Sequence, residues 1–123
     1  MNCPFCDKSR DVVLQTKDWK VIKDNYPVSK GHMLIVPKYH TTNIDDLKHY
    51  NIREFYLLII ETKDILDVMY NPDGYNMGLN LREAAGQTVE HLHFHIIPRY
   101  NGDVEKPEGG IRGVIPKKQR YGD

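Results

Sequence analysis

From residue 91 to residue 96 histidines and apolar side chains alternate strictly: His91, His93 and His95 take every second position, with Leu92, Phe94 and Ile96 between them. A period of two sends the two sets to opposite faces of an extended chain, so the spacing predicts a strand over 91–98 with one imidazole face and one core face. Three histidines at i, i+2 and i+4 are close enough to serve one small site. Residue type alone leaves two readings of it: nucleophilic imidazole chemistry, or a three-histidine metal centre whose fourth position is open to water.

The rest of the chain supplies partners for that strand. Val12–Gln15 and Trp19–Lys23 read as short strands joined by a turn at Thr16-Lys17-Asp18. The continuous apolar run from His32 to Val36 suits a central strand buried on both faces and ending at Pro37. Apolar residues Ile52, Phe55, Ile59, Leu66 and Met69 recur at helical spacing from Ile52 to about Tyr70, with Asn51 and Glu54 as a start signal and Asn71-Pro72-Asp73-Gly74 as the stop. Tyr75–Asn80 alternates like a half-buried strand, and a turn at Gly86 precedes the histidines. The expected fold is α+β: a five-stranded, mainly antiparallel sheet with one long helix plus a short one. A chain of 123 residues holds one domain, with a core over 1–100 and an irregular tail over 101–123 rich in Gly, Pro and charge.

Lys+Arg and Asp+Glu both number 17, so no overall field favours nucleic acid or an anionic membrane surface, and any phosphate site must be local. The N-terminal residues lack an apolar leader and no stretch reaches the ~18 apolar residues of a membrane span, which leads us to expect a cytoplasmic protein.

Gly86-Gln87-Thr88-Val89-Glu90 directly before the histidines, with Asn80 upstream, are phosphate-handling residue types, and they favour the nucleophilic reading over the metal centre. With them the block Gly86 to Arg99 resembles the histidine-triad family, whose signature is Gly-Gln-Ser/Thr-Val followed by His-x-His-x-His and apolar residues. Gly31-His32-Met33-Leu34-Ile35-Val36-Pro37-Lys38-Tyr39-His40 and Asn76–Asn80 extend the likeness, which runs from Cys3 to about Asp103.

The resemblance implies a nucleotidyl hydrolase or transferase in which His93, the central histidine, attacks an α-phosphate and becomes a covalent nucleotidyl-histidine. An imidazole with one nitrogen oriented by a backbone carbonyl leaves its other lone pair free for that attack. His95 and His32 would flank the phosphate and stabilise its charge, and Thr88 would bond a leaving-group oxygen. Gln87 and Asn80 would orient phosphate oxygens, while Asp24, with Asn25 as its substitute, stands where family members set a polar group against the ribose. Arg99 and Arg112 are candidate phosphate contacts. The tail resembles that of a bacterial, diadenosine-polyphosphate hydrolase-like branch. A purine nucleotide or dinucleoside polyphosphate is the implied substrate, a homodimer the implied assembly, and no catalytic metal is required. A phosphoramidase, a phosphorylase and a nucleotide-binding protein with little turnover are the alternatives.

Cys3 and Cys6, the only cysteines, suit metal ligation or redox chemistry. A redox pair of this spacing opens a helix after a strand, and only two residues precede Cys3. A closed structural zinc site needs four ligands. In histidine-triad proteins with an N-terminal Cys-x-x-Cys the other two are histidines at the positions of His40 and His91, so the resemblance implies structural zinc on Cys3, Cys6, His40 and His91. His49 reads as a solvated surface residue.

Overall fold

A computed structural model describes residues 3–122. Five strands, β1 (Leu14–Gln15), β2 (Trp19–Lys23), β3 (Met33–Pro37), β4 (Gly74–Leu79) and β5 (Phe94–Arg99), form one sheet in the order β1-β2-β3-β5-β4. Every pairing among them is antiparallel. The helix α1 spans Ile52–Tyr70, and Asn51 caps it by accepting from the backbone N–H groups of Arg53 and Glu54. Asn71 closes it in the left-handed conformation at φ 48°. The short helix ahead of α1 is a 3-10 segment, Ile44–His49.

The apolar run of β3 is explained by burial on both faces. On one side Met33 and Ile35 join Trp19, Val21 and Ile96 beneath Leu58 and Leu66 of α1. On the other, Leu34 and Val36 join Ile22 under Phe5, so the N-terminal segment forms a second, smaller layer. Gly31 stands just before β3 because a Cβ there would lie 2.9 Å from the Tyr70 ring and 3.0 Å from Leu66, and because its φ is +91°. It lets His32 pass under the C-terminal end of α1.

One strand departs from expectation. β5 begins at Phe94, not His91, and only His95 of the three histidines lies within it. Ile35 pairs with Phe94, so Leu92 would next face Pro37. Pro37 has no N–H to donate, and its carbonyl accepts from the His91 ring at 2.8 Å. Leu92 N–H turns instead to the Thr41 carbonyl at 2.8 Å. The first strand is also shorter than expected, and β3 starts at Met33, leaving His32 one residue ahead of it. In the tail the chain makes 3-10 turns at Gly110–Val114 and Pro116–Lys118. None of the helices in the described residues is long and apolar enough to cross a membrane.

Candidate active site

Each histidine of the 91–95 run has its proton placed by a fixed acceptor or donor. His91 donates from Nε2 to the Pro37 carbonyl at 2.8 Å, which leaves the Nδ1 lone pair. His93 donates from Nδ1 to the His91 carbonyl at 2.8 Å, which leaves the Nε2 lone pair. His32, upstream, accepts at Nδ1 from the Val28 N–H at 3.1 Å and therefore carries its proton on Nε2. That proton goes to His95 Nδ1 at 2.9 Å, so His95 keeps its own on Nε2. Burial holds the pKa of His32, His91 and His95 down, that of His95 to about 4 with help from the neighbouring His93 and His32. All three rings are neutral near pH 7; backbone groups set the tautomers of His32, His91 and His93, and His32 sets that of His95.

Two clusters result. His91 Nδ1 lies 3.4 Å from Cys3 Sγ, 3.4 Å from Cys6 Sγ and 3.2 Å from His40 Nδ1, and Cys6 Sγ lies 3.3 Å from His40 Nδ1. Bond lengths to zinc in tetrahedral coordination give ligand edges of about 3.3 Å (N to N) and about 3.6 Å (S to N), so this donor set fits a zinc ion. The second cluster holds Asp24, His32 and His95, with His32 Nε2 3.3 Å from Asp24 Oδ2. Among the described residues His91, His93 and His95 do not gather their nitrogens at one point, so the three-histidine metal centre has no geometric basis. Phe5 stands between the first cluster and His93, its ring 5.9 Å from that of His91 and 4.9 Å from that of His93.

His93 opens onto a cavity of about 310 Å³ on the Phe5 face of the sheet, lined also by Asp24, Asn25, His32, Asn80, Thr88 and His95. Seven of the residues singled out in the sequence are thus brought together. Gln87 stands beside the cavity: its Oε1 accepts from Arg82 N–H at 2.7 Å and its Nε2 donates to the Val89 carbonyl at 3.1 Å, so it shapes the loop that carries Thr88. Arg99 and Arg112 lie elsewhere. Arg99 is held by Asp103 at 2.8 Å through two nitrogens and by Asn76 at 2.6 Å. Arg112 donates to the carbonyls of Lys118 and Gln119 and stacks on Tyr121 at 4.1 Å. Both guanidiniums are engaged within the tail and the end of β5, and neither lines the His93 cavity.

Sequence reasoning missed Phe5, Arg10, Tyr26 and Val28, which also line it. Phe5 lies between the two cysteines, and a bulky ring pinned between two ligands is a signal that could have been read. Arg10, whose guanidinium sits 5.5 Å from the Phe5 ring centre, carries no such signal.

The HIT domain family model matches residues 7–102. The chain is 37% identical to an uncharacterized HIT-like protein of Methanocaldococcus jannaschii over 84% of its own length and 83% of that protein. It is 35% identical to the bis(5'-adenosyl)-triphosphatase of Dictyostelium discoideum, covering 83% of this chain and 68% of that one. It is 32% identical to the AP-4-A phosphorylase of Mycobacterium tuberculosis over 79% of its length, spanning half of that protein. Among solved structures it is similar to a HIT family protein of Bacillus anthracis (TM-score 0.75, 31% identity, 85% of this chain and 82% of that one). It is also similar to a zinc-bound histidine triad family protein of Mycobacterium smegmatis (TM-score 0.71, 29% identity, 82% and 77%).

Proposed function

The chain belongs to the HIT-domain family of nucleotide hydrolases and transferases, and we propose that it cleaves dinucleoside polyphosphates at the α-phosphate through a nucleotidyl group carried on His93. The observation that carries this reading is the His93 tautomer: with its Nδ1 proton bound to the His91 carbonyl, the Nε2 lone pair is left for the cavity. That pair attacks the α-phosphorus and forms a P–N bond as the P–O bond to the leaving group breaks, the electron pair departing on oxygen. His95, neutral and protonated on Nε2, donates to phosphate oxygens as charge develops there. Water then attacks phosphorus from the vacated side and gives up a proton to solvent, the P–N bond returns its pair to Nε2, and the nucleoside monophosphate leaves. Thr88 and Asn80 orient the phosphate, and Asp24 or Asn25 takes the ribose hydroxyls.

Zinc on Cys3, Cys6, His40 and His91 would join the N-terminal segment to the residues entering β5, holding Phe5 against His93. Four protein ligands would leave such an ion no open position, so its contribution would be structural. Free thiols as ligands suit a reducing cytoplasm. The edge position of β4 and the exposed stripe Ile52, Tyr56 and Ile60 on α1 support a homodimer, which sedimentation at micromolar concentration tests: a stable monomer argues against it.

The deciding experiment is acid-quench trapping with radiolabelled diadenosine tetraphosphate. We expect AMP release together with a protein-bound nucleotidyl group, stable in base, labile in acid and absent from His93→Ala. Transfer without that species points to direct attack by water.

A further inference from the structure

Asn80, directly after β4, and Thr88, shortly before the histidines, both line the His93 cavity. Their separation is set by the loop that joins them, and that loop contains a costly backbone conformation. Among the described residues two that are not glycine have positive φ, Asn71 at 48° and Arg82 at 73°. Asn71 closes a helix in the left-handed region, which asparagine tolerates. Arg82, with ψ at 168°, lies in a region that is essentially glycine's own, because a Cβ there crowds the backbone. Its side chain does not offset that strain: the guanidinium is exposed and makes no hydrogen bond or ion pair among the described residues.

Such a conformation persists only where the surrounding bonds over-determine it. Gln87 provides most of them. Its Oε1 accepts the Arg82 N–H at 2.7 Å, and its own N–H donates to the Arg82 carbonyl at 3.1 Å, which the Ala85 N–H shares at 3.2 Å. The other end of the amide, Nε2, donates to the Val89 carbonyl at 3.1 Å, and Val89 packs on the core layer of Phe5, Ile22, Leu34 and Val36. One side chain therefore ties the strained residue that follows Asn80 and Leu81 to the anchored residue that follows Thr88. Both ends of the amide are engaged inside the loop, and Gln87 itself does not line the cavity.

We propose that Gln87 is a positioning residue: its amide holds Arg82 in a conformation natural only to glycine and so fixes the span between Asn80 and Thr88. This rests on the reading of the His93 site above, in which those two residues orient the phosphate. The strain separates this role from contact with substrate. If Gln87 acts through Arg82, then Arg82→Gly, which lets the backbone adopt the same conformation freely, removes most of the need for the amide. A phosphate contact would be needed equally with or without that change.

The test is a double-mutant cycle, with Arg82→Ala as the control that loses the guanidinium but keeps the Cβ. On diadenosine tetraphosphate Gln87→Ala should lower kcat/KM by about tenfold to 10²-fold, as a misplaced Thr88 would. Arg82→Gly/Gln87→Ala should return to within about threefold of wild type, while Arg82→Ala/Gln87→Ala stays as slow as Gln87→Ala alone. An equal loss with and without Arg82→Gly, an equal rescue by Arg82→Ala, or no loss in Gln87→Ala overturns the proposal. Amide hydrogen exchange gives a readout that needs no turnover. The N–H groups of residues 85 and 87, both bonded to the Arg82 carbonyl, should exchange about tenfold faster in Gln87→Ala and recover in Arg82→Gly/Gln87→Ala. Exchange that Gln87→Ala leaves unchanged overturns the role of Gln87. Wild-type protein that cleaves no tetraphosphate sinks the catalytic reading of His93, and the exchange measurement still decides the loop.

Discussion

The two histidine clusters have similar atoms and opposite wiring. In each, at least three metal-ligating side chains bring one atom apiece within 4.8 Å of one another. At the first, a backbone carbonyl, that of Pro37, takes the far proton of His91 and turns its lone pair toward Cys3, Cys6 and His40. At the second, a backbone N–H, that of Val28, takes the far lone pair of His32 and turns its proton toward His95 and Asp24. A ring that presents a proton cannot ligate a cation, and a ring that presents a lone pair cannot stabilise an oxyanion. The first cluster presents a lone pair of His91 to its neighbours, as a metal ligand would, and the second presents a proton of His32 for hydrogen bonding. Which one an imidazole joins is decided by the backbone group behind it.

The largest expected effect breaks the second region alone. His93→Ala should lower kcat by ~10⁴ or more while metal content and thermal midpoint stay at wild-type values, because the proposed nucleophile goes but no residue of the proposed zinc site does. His95→Ala and His32→Ala remove hydrogen bonds, not the attacking atom, and should cost roughly 10² to 10³. Steady-state kinetics on diadenosine tetraphosphate ranks the three, and a His95 variant slower than the His93 variant would reverse the assigned roles.

Much of this arrangement was legible in the sequence. Helix α1 begins after Asn51 and ends at Asn71 as its periodicity and stop signals require, since local chemistry determines both ends. The alternation of 91–96 placed Leu92 and Ile96 in the core and His93 beside His95, but not the late start of β5, because that depends on Pro37 arriving opposite Leu92 from a distant strand. Asp24, Asn80 and Thr88, singled out in the sequence, line the cavity. Arg99 and Arg112 did not, because partners four and more residues away, Asp103, Lys118 and Gln119, engage their guanidiniums, and residue type does not reveal such pairing. The tautomers were out of reach as well: only His91 and His93 have their orienting carbonyls identified, and only once the chain is folded.

Metal removal tests the other region. Cys3→Ser/Cys6→Ser, or exhaustive chelation, should lower unfolding free energy by ~3 kcal/mol or more while kcat changes less than about tenfold. Zinc content by elemental analysis and urea unfolding measure the two together. A large fall in kcat with stability intact would mean that the metal belongs to the chemistry.

Acid should act on the second region through His95. The His95 pKa lies near 4 in the folded protein, below the ordinary 6.5, chiefly because the ring is buried. Between those values the unfolded chain binds a proton that the native one refuses, so stability is flat above about pH 7 and falls as pH drops from 6.5 toward 4. His32 and His91 shift in the same direction. Urea midpoints should decline across that window, and less so in His95→Gln. A wild-type midpoint that rises from pH 6.5 to pH 4.5 contradicts the sign.

The smallest effect on rate bears most directly on the wiring. Val28 is largely exposed at the edge of the His93 cavity, and Val28→Pro removes the N–H facing His32 Nδ1. His32 can then carry its proton on Nδ1 and turn a lone pair toward His95 Nδ1, at 2.9 Å, and Asp24 Oδ2, at 3.3 Å. With metal–ligand bonds near 2.0 Å, those separations subtend about 90° and 110°, angles that zinc accepts. The variant should therefore bind a second equivalent of zinc and be inhibited by it, while its metal-free rate falls by about tenfold or less. Calorimetric titration of zinc, wild type against variant, counts the equivalents. Should wild-type protein already bind two, with the second abolished by Asp24→Asn, the Val28 N–H does not hold the His32 tautomer and the two clusters are chemically alike.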